Sequence, residues 1–586
     1  MNQPVSISVE GDVGVVSVNS PPVNALGAAV RAGLAQAFDA LLTDGNVRAI
    51  VLICDGRTFF AGADISEFGK PPQSPTLHEV MRLIENAAKP VVAAIHGSAL
   101  GGGLETALVC HYRIAVPSAR LGLPEVHLGL LPGGGGTQRL PRVIGVEAAL
   151  DLMVSGRSIA AQEARELGLL DQLASENRLR EDAVAFARGV AAAGKPLTRI
   201  RDRDGPITQA RARLGLFDDF RRRHAAVMRG FRAPDHIVRA VEAAITLPFE
   251  EGMAREWELF RQLEDSSESA AQRYLFFSER EAARLPGISA DTPVIPLRVA
   301  TIVGKGECAP WADILHRAGL KATCLESWAA VLANGQDSLA ASDIIVECRS
   351  LPEPLTDAIL QRLDAVRSPQ SLLVPADIGA LDEMASAYPA TLTQLSLPAD
   401  PLSRLMEISP GTNASPTTLA SILGLARKAG RVAVICRSGH GLVSDRLIRA
   451  QEQAITMLRV DGAPEAALVE ALDLFGFVRA EEAVPTGRSM EELETLIAPM
   501  MAMMANEGAR MLDESVVLRA SDIDMVAVLA IGWPAYRGGP MFWADRTGLS
   551  AVVEKLHQME QRHGPAFAPA TGLTRLAESG GRFAHN

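Results

Sequence analysis

The sequence predicts an α/β protein of several domains, and three observations carry that expectation. Short β-rich runs alternate with helical patterns over the first 190 residues, and the same alternation returns from about residue 298. Each α/β stretch is followed by one that is almost wholly helical. At 586 residues the chain is also too long to fold around a single hydrophobic core.

Taken in order, "VGVVSV" (13–18), "VRAIVLIC" (47–54), "PVVAAIHG" (90–97) and "YRIAV" (112–116) read as strands, and "AAVRAGLAQAFDALLT" (28–43) reads as a helix between them. Residues 191–290 read as helical. The three prolines of "PGISADTPVIPL" (286–297) mark a linker. A second strand set follows: "RVATIVG" (298–304), "KATCLES" (321–327), "DIIVECR" (343–349), "SLLVPAD" (371–377) and "RVAVICR" (431–437). Beyond about 440 the chain is helical again and carries the loop "IGWPAYRGGPMFWAD" (531–545).

Composition narrows the function classes. A net charge of −12 argues against nucleic acid as the main partner, and the run Arg221-Arg222-Arg223 reads as a solvated helix face. No stretch of 18 apolar residues suggests a membrane span. The six cysteines have no metal spacing, so no metal site is expected. Cys54, Cys324 and Cys436 end apolar runs and read as buried thiols. The amino terminus lacks a signal-peptide pattern and the carboxyl end "RFAHN" lacks a peroxisomal tripeptide, so a cytoplasmic protein is expected.

Three segments carry chemistry together: "FFAGADI" (59–65), "GSALGGGLETAL" (97–108) and "LGLPEVHLGLLPGGGGTQRL" (121–140). Glycines ahead of a helix allow close backbone approach, and a helix start leaves N–H groups free to stabilise a developing oxyanion. Glu105 lies two residues beyond the glycine triplet, and Glu125 follows twenty residues later. Two carboxylates can hold one water between them, one taking its proton while the other acts as an acid.

These segments, and residues 5–190 with them, resemble the crotonase (enoyl-CoA hydratase/isomerase) superfamily. The resemblance implies a spiral-type ββα domain, an oxyanion hole from the N–H groups of Ala63 and Gly102, and Glu105 and Glu125 as the catalytic pair. It also implies that Ala25, Leu26, Ala61, Asp64 and Ile65 bind the CoA part of an acyl-CoA thioester and that Gly133 turns beside the water site. Having both glutamates favours hydration of a 2-enoyl-CoA, with Δ3-Δ2 isomerisation alongside and no cofactor required. Retro-aldol cleavage, isomerisation, thioester hydrolysis or non-catalytic acyl-CoA binding are the alternatives.

The stretch 298–327 follows the strand, glycine loop, helix, strand and acid plan of a dinucleotide site, with Gly304, Gly306, Ala309 and Glu326 in place and Pro310 near the helix start. With the tail 506–545 it resembles the 3-hydroxyacyl-CoA dehydrogenase part of multifunctional β-oxidation enzymes. That family uses a serine, a histidine, a glutamate orienting the histidine, and an asparagine. Here Asp377, Leu395, Glu407 and Asp445 stand at those places, and leucine cannot take a proton from a hydroxyl. The helical arm expected after Glu326 and the continuation after "LDLFGF" (472–477) are missing. His440 is the rival base. The resemblance therefore implies a vestigial NAD site and a lost dehydrogenase.

The expected architecture is a crotonase domain (1–190), a helical linker region (191–290), a truncated Rossmann-like domain (296–436) and an all-α domain (437–586). A monomer is expected, with a homodimer or a thiolase complex as alternatives.

Overall fold

The computed structural model describes residues 3–71, 73–194, 197–213, 215–282, 284–304, 308–328, 330–331, 336–348, 371–375, 393–397, 403–411, 413–437, 440–477 and 485–583. The chain forms two compact units, Met1–Gln272 and Arg273–Asn586.

In the first unit, strands β1 (Val5–Glu10), β2 (Val13–Val18), β3 (Ala49–Cys54), β4 (Val91–Ile95), β6 (Tyr112–Ala115) and β9 (Gln172–Leu173) form a sheet in the order β1-β2-β3-β4-β6-β9. Only the β1–β2 pair is antiparallel. The central runs "VGVVSV", "AIVLIC" and "VVAAI" are buried at every position, as parallel strands covered on both faces must be. β1 is the edge and leaves Ile7 and Val9 exposed. Strands β5 (Ser98–Leu100), β7 (Arg120–Gly122) and β8 (Ser158–Ala160) form a smaller sheet.

The helix Ala28–Thr43 turns Val30, Leu34, Phe38 and Leu41 inward at helical spacing. The helices Arg232–Thr246 and Phe249–Glu264 send Ile237, Val241, Leu259 and Leu263 into the same core as the sheet. The helical segment that follows residue 190 thus contributes to the first unit's core.

In the second unit, β10 (Val299–Val303), β11 (Lys321–Leu325), β12 (Ile344–Glu347) and β13 (Leu372–Pro375) form a parallel sheet in the order β11-β10-β12-β13. Strands β14 (Thr393–Ser396), β15 (Leu405–Pro410) and β16 (Val432–Ile435) form a separate one. These strands share one hydrophobic core, and the helices from Val443 onward build a second. Among the described residues no helix is long and apolar enough to cross a membrane.

Two local expectations change. Cys54 and Cys436 are buried, but Cys324 is exposed, because β11 is the edge strand and turns that position to solvent. In the arginine run, Arg222 and Arg223 are solvated, whereas Arg221 is partly covered by its pairing with Asp235 and Glu242.

Candidate active site

Strand β5 delivers the chain to the helix Gly102–Val109 through Gly101, whose φ of +52° suits a residue without a side chain. Gly101 N donates to Gly122 O (3.0 Å), which ties the turn to β7. A Cβ on Gly102 would stand 3.2 Å from the Ala63 nitrogen and 3.3 Å from Leu77, so the two expected oxyanion donors lie on adjoining backbone. The Ala63 segment is anchored in turn: Ala61 N donates to Val23 O and Leu26 N to Gly62 O. Buried Asn24 fixes the Ala25–Leu26 loop by donating to Asp55 O and Thr58 O and accepting from Ser20 N. Asp64 caps the short 3-10 turn Ile65–Glu67. The five residues expected at the CoA moiety therefore occupy two hydrogen-bonded loops.

Glu105 sits in the first turn of its helix and is 3% exposed. Its Oε1 accepts from Gly134 N (2.7 Å) and Gly136 N (2.8 Å). Burial raises its carboxyl above the usual range, while those two donors and the nearby Arg139 guanidinium pull it back.

Glu125 opens the 3-10 turn Glu125–Leu128, and its carboxylate lies against Gly101, where a Cβ would meet Oε1 at 2.9 Å. The residue is half-buried, yet its Oε2 is cut off from solvent and has no hydrogen-bond partner among the described residues. Burial pushes Glu125 well above the usual carboxylate range, and the charges of Glu105 and Glu256 add to the effect. Two buried carboxylates with unequal support hold a proton unequally. Glu105, with its N–H donors, is the better base, and Glu125 is the better holder of the proton.

Sequence reasoning missed a third glutamate. Glu256, in helix Phe249–Glu264, is wholly buried and accepts from Gly135 N (2.7 Å), Thr137 N (3.1 Å) and Thr137 Oγ1 (2.5 Å). Burial, reinforced by the charge of Glu105, pushes its carboxyl up to about 8. The signal was in the sequence: Phe249, Gly252, Glu256, Leu259, Phe260 and Leu263 share one helical face, and a charge on an apolar stripe needs a partner. Gly133, at the start of the same turn, packs against Phe260 and gives its carbonyl to His78 Nε2 (2.8 Å).

The second unit arranges its expected redox residues differently. Leu395 is buried in β14 opposite Ile408. Glu407 Oε1 accepts from Val443 N (2.8 Å) and Ser444 N (3.3 Å), and its Oε2 accepts from Ser444 Oγ. Asp445 lies exposed in the first turn of the helix Val443–Val460. His440 is exposed, with Nδ1 4.0 Å from Glu514. Gly304 has φ +149°, and a Cβ there would stand 1.4 Å from Cys348 O. Glu326 is exposed at the end of β11. Gly306 and Asp377 lie outside the described residues.

Residues 8–203 match the family enoyl-CoA hydratase/isomerase, which makes the first unit a crotonase-type domain. The peroxisomal bifunctional enzyme of Danio rerio is 31% identical over 698 aligned positions, covering 98% of this chain and 97% of the relative. That of Cavia porcellus is 30% identical, covering 97% and 96%. A solved enoyl-CoA hydratase from Bacillus anthracis is 30% identical and covers 47% of this chain and 97% of its own, at a TM-score of 0.31. Over its whole length the chain belongs to the family of the peroxisomal bifunctional enzymes. The expectation of a cytoplasmic protein does not stand, because these full-length relatives are named as peroxisomal enzymes. The first alignment is longer than this chain, so segments of the relative have no counterpart here.

Proposed function

We propose that this chain is an enoyl-CoA hydratase, adding water across the C2=C3 bond of a 2-enoyl-CoA to give a 3-hydroxyacyl-CoA, with Δ3-Δ2 isomerisation as a side activity. The observation that carries the reading is the unequal glutamate pair beside the adjoining Ala63 and Gly102 backbone. The thioester oxygen accepts from the Ala63 and Gly102 N–H groups, and the negative charge of the enolate develops there; removing one such donor costs about 3 kcal/mol in other enzymes. Glu105 takes a proton from water as its oxygen bonds to C3, and Glu125 gives a proton to C2. The pair starts with one proton and ends with one, now on Glu105, and a proton shift resets it. Ala25, Leu26, Ala61, Asp64, Ile65 and Gly133 line the CoA and acyl path in this reading.

The chain then divides as a crotonase domain (1–190), a helical region (191–290), a Rossmann-like domain (296–436) and a helical domain (437–586), and it acts as a monomer. NAD, if bound, would supply a hydride acceptor, but the residues do not fit its use. Leu395 offers no base, and both Glu407 oxygens are engaged by the start of the helix Val443–Val460. These features support loss of the dehydrogenase reaction.

One cuvette with purified protein, crotonyl-CoA and NAD+ tests both parts. Loss of enoyl absorbance without NADH, even after added 3-hydroxybutyryl-CoA, is the expected result. NADH formation would overturn the redox part, and no enoyl loss would overturn the hydratase part.

A further inference from the structure

The turn Gly133–Thr137 is held from two sides by alternating backbone groups. Gly134 N and Gly136 N go to Glu105, and Gly135 N and Thr137 N go to Glu256. Successive N–H groups therefore point to opposite sides, and neither carboxylate can move without turning the peptides that bind the other. Thr137 Oγ1 completes the Glu256 set, donating to it while accepting from Gln138 Nε2 (2.9 Å). The turn's carbonyls are held as well, Gly133 O by His78 and Gly134 O by Arg139 Nη1 (3.3 Å).

We infer that Glu256 is a positioning residue for hydration: reaching from the helix Phe249–Glu264, its carboxylate fixes the Gly133–Thr137 turn so that Gly134 and Gly136 present their N–H groups to Glu105. The inference rests on the hydratase reading above. It gives that helix a part in the chemistry that its place beyond the expected crotonase segment did not suggest.

Glu256 also acts through its charge. The groups facing it are Glu105, Glu125 and Arg139. Arg139 is paired with buried Glu85 at 2.8 Å through both Nε and Nη2. His78 is kept neutral by burial and engaged with Gly133. The helix Arg232–Thr246, packed against the Glu256 helix, turns its charges elsewhere. Asp235 and Glu242 pair with Arg221, Arg239 pairs with Asp235, Arg232 lies 3.8 Å from Glu268, and His236 Nδ1 bonds Arg232 O. As pH rises through about 8 Glu256 becomes negative, and its charge beside the pair then makes the shared proton on Glu125 harder to lose. Replacing it by a neutral amide lets that proton leave at lower pH.

The test compares full-length wild type, Glu256→Gln and Glu105→Gln on crotonyl-CoA across the pH range in which all three stay folded. For Glu256→Gln, kcat is expected to fall about 10- to 100-fold, the cost of a misplaced catalytic group, with KM within about twofold. The alkaline limb of its kcat profile is expected at lower pH than in wild type. A wild-type kcat, or a loss of kcat with the limb unmoved, overturns the positioning role. Full activity in Glu105→Gln instead overturns the role of Glu105 as the base, and no hydration by wild type overturns the hydratase reading itself. If Glu256→Gln does not fold by circular dichroism, Thr137→Val carries the test. It removes one of the three donors, and an unchanged kcat in that folded variant overturns the inference.

Discussion

Each unit holds a glutamate at a place that the family resemblance assigns to chemistry, and the two carboxylates are partnered in opposite ways. Glu407 is 2% exposed, and both its oxygens are taken by Val443 N, Ser444 N and Ser444 Oγ, so it serves as the cap of the helix Val443–Val460. Among the described residues, Glu125 Oε2 is buried without a hydrogen-bond partner, a cost that a purely structural carboxylate would not carry. Burial alone therefore does not mark a catalytic acid. What separates the two is whether hydrogen-bonding capacity is left over for something that is not protein.

The sharpest way to break this contrast is to neutralise the first site. Glu125→Gln and Glu105→Gln are each expected to lower hydratase kcat by about 10²- to 10⁴-fold, the usual worth of general acid–base catalysis. The double variant should lose little more than either single one, because the two residues act on one water as a unit. Following crotonyl-CoA absorbance measures all three, and additive losses would argue that the glutamates work independently.

Glu407→Leu tests the other half. The variant should keep hydratase kcat within about twofold yet lose about 1–3 kcal/mol of stability, since Val443 N and Ser444 N are left without an acceptor. Denaturant titration followed by circular dichroism measures the loss. A stable variant with unchanged midpoint would mean that the cap is dispensable and the contrast between the two sites is overstated.

Much of the first site was legible because its parts are close in sequence. The glycine triplet, Glu105 and Glu125 lie within one short stretch, and local backbone needs give them a recognisable spacing. Glu256 lies 121 residues from Gly135, and its significance depends on a helix folding back onto the glycine turn, which no local pattern specifies. In the second unit, the absence of a histidine at Leu395 could be read directly, but the new partner of Glu407 could not. Ser444 becomes a ligand of that carboxylate only through the pairing of β15 with β16 and the chain's return into the next helix. Exposure of Cys324 was missed for a similar reason: an apolar run does not say whether its strand lies at the centre or the edge of a sheet.

The smallest expected effect concerns the pH dependence of stability. Burial raises Glu407 to about 7, against 4.5 for the ordinary carboxyl, even though Ser444 and Val443 support its ionised form. The folded chain thus keeps a proton that the unfolded chain releases between these two values. Its contribution to stability is fully present below about pH 4.5 and is lost as pH rises through about 7. Glu407→Gln cannot titrate, so the thermal midpoint of wild type minus that of the variant should fall by a few degrees between about pH 5 and 8. Other titrating groups, including buried Asp524 and the first-unit glutamates, are present in both proteins and cancel in the difference. A flat difference across that range would mean that Glu407 stays ionised throughout, and the helix cap would then be a stronger interaction than its burial allows.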